Sequence, residues 1–189
     1  MVKNPSPNPT GTKPKSEPKN ASKPERGKAA SLPLAKTLGP GDRAPEFDLP
    51  SDLGKNVSLS SFAGSKLVLY FYPKDDTSGC TKEAIDFNGL RDAFKKAGTV
   101  ILGVSPDSAA AHVKFKMKHK LDFQLASDEA KSVLGAYGVW VEKSMYGRKY
   151  MGVERTTFLI GKDGRIASVW HKVKVPGHAE AVLEAAKAL

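Results

Sequence analysis

The chain has 189 residues, 40% of them apolar and 26% charged, with a formal net charge of +10. That length suits one well-buried domain with a tail rather than two ordinary domains, and the balance excludes a membrane or wholly disordered protein: no apolar run approaches the ~18 residues a spanning helix needs. The single cysteine, Cys80, excludes an internal disulfide framework and any Cys-x-x-Cys zinc or redox motif.

Residues 1–38 carry seven lysines and Arg26 against Glu17 and Glu25, a net +6 of the chain's +10, and no aromatic side chain. This predicts a disordered, basic, Pro/Lys/Ser-rich tail. Its alternatives are a solubilising extension and a weak electrostatic contact with nucleic acid or another polyanion. No apolar core follows the first lysine and no Arg-rich amphipathic helix forms, so neither a secretory nor an organellar signal is read and the cytoplasm is the expected compartment. The folded domain is expected over 39–189.

Two short apolar runs, 66–72 ended by Pro73 and 98–104 followed by Pro106, predict buried central strands. Between them Ala84, Phe87, Leu90, Phe94 and Ala97 recur at three- and four-residue steps, predicting one amphipathic helix stopped by Gly98. Further helices are expected near 107–118, 129–135 and 178–188. Segments 156–160 and 166–170 predict an antiparallel hairpin with Asp163-Gly164 at a tight turn. The class is α/β: a central mixed β-sheet flanked by helices on both faces.

The stretch Tyr70-Phe-Tyr-Pro-Lys-Asp-Asp-Thr-Ser-Gly-Cys-Thr-Lys-Glu83 places Cys80 just after a strand, at the first turn of the following helix. Free backbone N–H groups and the positive end of the helix dipole there favour the thiolate, which is the nucleophilic form. Without such a context a lone cysteine reads as a small core residue. The Thr77 hydroxyl, three residues before the sulfur, both donates and accepts; capping of the helix by Thr77 or Ser78 is the alternative. His112 and His119 stand seven apart and Pro176-Gly177 separates His171 from His178, so neither pair has ligand spacing and no metal or cofactor is expected. Trp140, Tyr146 and Tyr150 either rim a pocket or pack.

Pro73-x-x-x-Thr77-x-x-Cys80 resembles the active-site signature of peroxiredoxins. The flanking Tyr-Phe-Tyr-Pro-Lys-Asp-Asp-Thr, together with 137–142, 150–160 and 173–178, resembles the bacterioferritin comigratory protein, or peroxiredoxin Q, branch, from about Leu38 to the C-terminus. The resemblance implies a thioredoxin-like fold and a thiol-dependent peroxidase acting on hydrogen peroxide and organic hydroperoxides. It implies Cys80 as peroxidatic cysteine, Thr77 as the hydroxyl orienting the peroxide, Pro73 as the shielding residue and Arg155 as the arginine completing the site. Glu83 matches a secondary acidic position that orients the arginine or a neighbouring backbone N–H; a favourable acid in the first turn of the helix is the alternative. Arginine suits its role because it stays charged and can hydrogen-bond both a thiolate and a peroxide oxygen.

Two positions depart from the family pattern. Ser78 stands where proline is usual, and Ile85, read as a buried helix residue, stands where many members carry a second cysteine. With no resolving cysteine, the sulfenic acid formed on Cys80 needs an external thiol: thioredoxin, glutaredoxin or glutathione. A monomer is expected, without membrane contact. The rival reading is a peroxide-sensing or polyanion-tethered thioredoxin-fold module with little turnover.

Overall fold

The computed structural model describes residues 37–189, so the basic tail read over 1–38 lies almost wholly outside the described residues. Its last residue, Leu38, is described and packs partly buried against the core. Residues Asp48–Pro50 (β1) and Asn56–Ser58 (β2) form a small antiparallel hairpin, followed by a 3₁₀ turn at Leu59–Phe62. The main sheet has five strands: β3 (Lys66–Phe71), β4 (Thr99–Ser105), β5 (Gln124–Ser127), β8 (Thr156–Ile160) and β9 (Ile166–Trp170), in the order β5-β4-β3-β8-β9. β3, β4 and β5 run parallel, while β8 and β9 are antiparallel to their neighbours. Every residue of β3 and of β8 is buried, as expected of strands covered on both faces.

The two-residue period of β3 divides the core. Leu67, Leu69 and Phe71 enter one cluster with Tyr137, Val139 and Phe158. Val68, Tyr70 and Tyr72 enter the other with Cys80, Ala84, Phe87 and Phe94. The second face carries α1 (Ser78–Gly89), α2 (Arg91–Lys96), α3 (Ala109–His119) and α5 (His178–Ala188). The first carries the short α4 (Ser132–Ala136) beside the β1–β2 hairpin. Helices thus cover both faces, unevenly.

Several elements correct the sequence reading. The single helix expected before Gly98 is two, α1 and α2, separated at Leu90, whose N–H falls back onto Phe87 as well as Asp86; the Asn88-Gly89 pair lowers helix propensity there. α4 begins at Ser132 because Asp128 accepts from the N–H groups of Ser132 and Leu134 and holds the preceding residues out of the helix. The β8–β9 hairpin, by contrast, turns where it was read, through Gly161–Gly164, with the Gly164 N–H on the Gly161 carbonyl and Asp163-Gly164 within the tight turn. Gly164 is required there, at φ +75°. Strand β5 and a separate hairpin, β6 (Trp140–Met145) with β7 (Arg148–Val153), escaped the reading altogether. Ile85 is 47% exposed on the outer side of α1, contrary to the buried position read for it.

Candidate active site

β3 delivers the chain to Pro73, the loop 74–77 turns it, and α1 starts at Ser78 with Cys80 in its first turn, 2% exposed. The loop is tied down from several sides. The Tyr72 hydroxyl donates to Asp75 Oδ1 (2.7 Å), His112 Nδ1 of α3 pairs with Asp75 Oδ2 (2.8 Å), and the Asp75 N–H reaches Asp107 Oδ2 (2.8 Å). Asp76, in the left-handed region at φ +60°, is held by Lys118 Nζ (2.5 Å) and His119 Nε2 (2.8 Å).

Arg155 arrives from 75 residues away through the antiparallel register. Phe71 pairs with Thr156, so the preceding Arg155 lies level with the exit of β3. Its backbone carbonyl accepts from the Val173 N–H at 3.0 Å. The guanidinium then forks: Nη2 donates to Cys80 Sγ at 3.1 Å, and Nη1 donates to Glu83 Oε2. Gly79 lies against this fork: a Cβ there would stand 3.4 Å from Nη2, in ordinary van der Waals contact. Arg155 also lines a cleft of about 550 Å³ with Val141, Lys143, Tyr150, Lys172 and Val173.

The AhpC/TSA family profile matches residues 40–169. The chain belongs to the AhpC/TSA family. Bacillus subtilis peroxiredoxin Bcp is 47% identical over 151 residues, covering 80% of this chain and 96% of that protein. Xanthomonas campestris peroxiredoxin Q superposes with a TM-score of 0.73 at 48% identity, over 75% of this chain and 90% of that one. The bacterioferritin comigratory protein of the same organism, solved as trapped intermediate and ligand complexes bearing on its alkyl peroxide reduction, has a TM-score of 0.73, 47% identity and the same coverage. The chain is thus a peroxiredoxin of the Bcp/peroxiredoxin Q branch, a thiol-dependent peroxidase with the thioredoxin-like fold.

Of the residues singled out in the sequence, the structure brings Cys80, Arg155 and Glu83 into one hydrogen-bonded unit. Pro73 lies half-buried where β3 ends. Thr77 is exposed; its hydroxyl donates to the Lys74 carbonyl (3.1 Å) and makes no bond to Cys80 or Arg155. Thr77 holds the N-cap position of α1, yet neither it nor Ser78 caps with a side chain, which leaves the first-turn N–H groups near the sulfur uncapped. Tyr150 lines the cleft, Tyr146 is 96% exposed at a hairpin turn, and Trp140 packs partly buried on the core. Among the described residues no group of three or more His, Cys, Asp or Glu is placed to hold a metal.

The sequence reading missed three neighbours. Tyr70 stacks beneath the site; burial first, then the Glu83 and Cys80 charges, hold its phenol well above the ordinary range, and its hydroxyl has no partner. His178, at the start of α5, meets Thr157 Oγ1 at 2.8 Å through Nε2. Gly79 is the third. Only the adjacency of Tyr70 and Gly79 to the motif could have flagged two of them.

Burial pushes the Glu83 carboxyl up from 4.5 to about 7 against the pull of Arg155. Burial, with Arg155 nearby, pushes His178 down from 6.5 to about 4. For Glu83 the folded state binds the proton more tightly, so its stabilising effect is complete below pH 4.5 and disappears as pH rises to about 7. For His178 the unfolded state binds it more tightly, so its contribution is present above pH 6.5 and is lost as pH falls towards 4. Between 4.5 and 6.5 the two slopes oppose and nearly cancel. Relative to wild type, Glu83→Gln should therefore lose stability on acidification from pH 6.5 to 4.5, by roughly 2 kcal/mol, and His178→Gln should gain a similar amount. Urea midpoints at pH 4.5, 5.5 and 6.5 measure both; parallel curves for all three proteins would refute the assignment.

Proposed function

We propose that this peroxiredoxin reduces hydrogen peroxide and organic hydroperoxides through Cys80, and that an external thiol closes each cycle. The observation that carries the reading is the Arg155 fork on the sulfur of the chain's only cysteine. The Cys80 thiolate attacks the distal peroxide oxygen, the O–O bond breaks, and its electron pair leaves on the proximal oxygen, which is protonated to water or an alcohol. The sulfur becomes a sulfenic acid. Arg155 stabilises charge on the sulfur before attack and on the leaving oxygen during it, a role that its hydrogen bond to Cys80 Sγ supports. Thr77 orients the peroxide by turning its hydroxyl from the Lys74 carbonyl, and Pro73 shields the site. Activity on organic hydroperoxides is in line with alkyl peroxide reduction by the Xanthomonas relative, and the cleft beside Arg155, where Val141, Tyr150 and Val173 stand among the charged Glu142, Lys143, Glu154 and Lys172, offers space for the substrate's tail.

A thioredoxin, a glutaredoxin or glutathione must then form a mixed disulfide with Cys80, and a second thiol must release it. Turnover of hydrogen peroxide and of an organic hydroperoxide against each of these reductants tests the reading. Dimedone capture of the sulfenic acid after one equivalent of peroxide locates the oxidised sulfur. Capture without turnover under any reductant would turn the reading to peroxide sensing.

Ile85→Cys tests how readily α1 opens. Five residues along a helix rotate the second side chain by ~140°, so Cys80 faces inward while residue 85 faces out, and a disulfide between them requires the first turns to unwind. Peroxide should convert this variant to an intramolecular disulfide, slow its overoxidation and shift its preference to thioredoxin-type reductants. Because Ile85 is half-exposed, the stability cost should stay below about 1 kcal/mol. Peptide mass spectrometry reads the bond as a loss of two hydrogens within one peptide; only sulfinic or intermolecular products would mean that α1 does not open.

A further inference from the structure

The pair of acids on either side of Arg155 outnumbers its cation. Glu83 follows Cys80 by one turn of α1 and is 1% exposed. Its Oε2 accepts from Arg155 Nη1, while its Oε1 is buried with no hydrogen-bond partner. The other arm of the same guanidinium is on Cys80 Sγ. Among the described residues no other cation hydrogen-bonds either acid. Two buried anions against one cation would leave a charge uncompensated, which a low-dielectric site resists by keeping a proton on one of them.

The geometry points to a shared proton: Cys80 and Glu83 hold one proton between them across Arg155, so the thiolate forms by placing that proton on the Glu83 carboxyl. The two arrangements, thiolate with carboxylic acid and thiol with carboxylate, have the same net charge, and Arg155 contacts both groups in either. The two acids are coupled through the one guanidinium they share. The unpartnered Oε1 is the oxygen on which the proton sits, since Oε2 already accepts from Nη1.

The surroundings favour one negative charge, not two. Asp86, on the same helix, opposes ionisation of Glu83. Tyr70, from β3, is neutral. His178, from α5, is kept neutral by burial and by Arg155, and so adds no second cation. The upward displacement of the Glu83 carboxyl to about 7 agrees with a proton held there at neutral pH.

Charge is conserved through the peroxidase step on this arrangement. Before attack the site holds thiolate, guanidinium and carboxylic acid. The sulfur loses two electrons to the peroxide, the O–O bond breaks, and the departing alkoxide gains one proton. Glu83 loses one proton in the same step, and the site then holds sulfenic acid, guanidinium and carboxylate. Glu83 acts through Arg155 and is a positioning residue that stores the proton the reaction consumes.

The proposal rests on Cys80 being the peroxidatic nucleophile, which loss of turnover in Cys80→Ser tests separately. The infrared difference spectrum between reduced and singly peroxide-oxidised wild type at pH 7 reads the stored proton. The carbonyl stretch of a protonated carboxylic acid should disappear on oxidation, and this loss should be missing from Glu83→Gln and from peroxide-treated Cys80→Ser. Thiolate absorbance against pH should rise in two steps with a plateau in wild type, and in one step in Glu83→Gln, whose oxidation rate should fall about tenfold per pH unit below its midpoint. A carboxyl band unmoved by oxidation of wild type, or the same titration curve in both proteins, would overturn the proposal. The wild-type difference requires no variant, so a Glu83→Gln chain that failed to fold would leave that test in place.

Discussion

Cys80→Ser should abolish peroxide consumption, lowering the rate by more than about 10³-fold, and leave the fold intact. A serine hydroxyl ionises far above neutral pH and is a poor nucleophile at a peroxide oxygen, so neither the helix terminus nor Arg155 can recruit it. The structural cost is small because the exchange removes little volume and leaves the Arg155–Glu83 pair in place. The side chain keeps nearly its shape at a position 2% exposed, and Arg155 retains Glu83 as its partner. A thermal midpoint within a few degrees of wild type should therefore accompany the lost activity. Steady-state peroxide consumption with a thiol reductant, measured beside thermal melting, separates the outcomes: turnover surviving in a folded variant would remove Cys80 from the mechanism.

The parts of this fold that were legible in the sequence are those in which local pattern and tertiary burial coincide. Strands β3, β4 and β8 are apolar runs because both faces of the sheet are covered, and 178–188 is read correctly because its apolar spacing matches the side it buries. Strand β5 was missed because four residues, Gln124-Leu-Ala-Ser127, are too few to establish a period. The β6–β7 hairpin was missed because its strands are mostly exposed and mix lysine, glutamate, tyrosine and methionine; only Tyr146-Gly147, both at positive φ, betrays its two-residue turn.

The site divides along similar lines. Cys80 at a strand-to-helix junction follows from local sequence, and Glu83 falls one turn along by helical arithmetic alone. Arg155 does not, since only the β3–β8 register brings it to the sulfur; in the sequence it was visible through family resemblance. The unpartnered Oε1 of Glu83 and the direction of the Thr77 hydroxyl depend on side-chain packing, which no spacing encodes.

Arg155→Lys should keep the charge and still lower kcat/KM for hydrogen peroxide by about 10²-fold, the equivalent of ~2.7 kcal/mol of transition-state stabilisation. The wild-type guanidinium serves two acids at once with separate nitrogens, Nη2 on Cys80 and Nη1 on Glu83. A lysine has a single nitrogen on a shorter effective reach. The buried Glu83 carboxyl competes for it, and the sulfur and the peroxide lose their donor. Stability should change less than activity because Glu83 keeps a cationic partner. Alkylation of Cys80 by iodoacetamide separates the two things the arginine does, since that reaction needs the thiolate but develops no charge on a peroxide oxygen. An equal fall in alkylation and peroxide reduction would place the arginine's effect on the thiolate. A fall in peroxide reduction alone would place it on the leaving oxygen, which is the expected larger share because charge grows there only in the transition state. Wild-type rates in both reactions would reduce Arg155 to the counter-ion of Glu83.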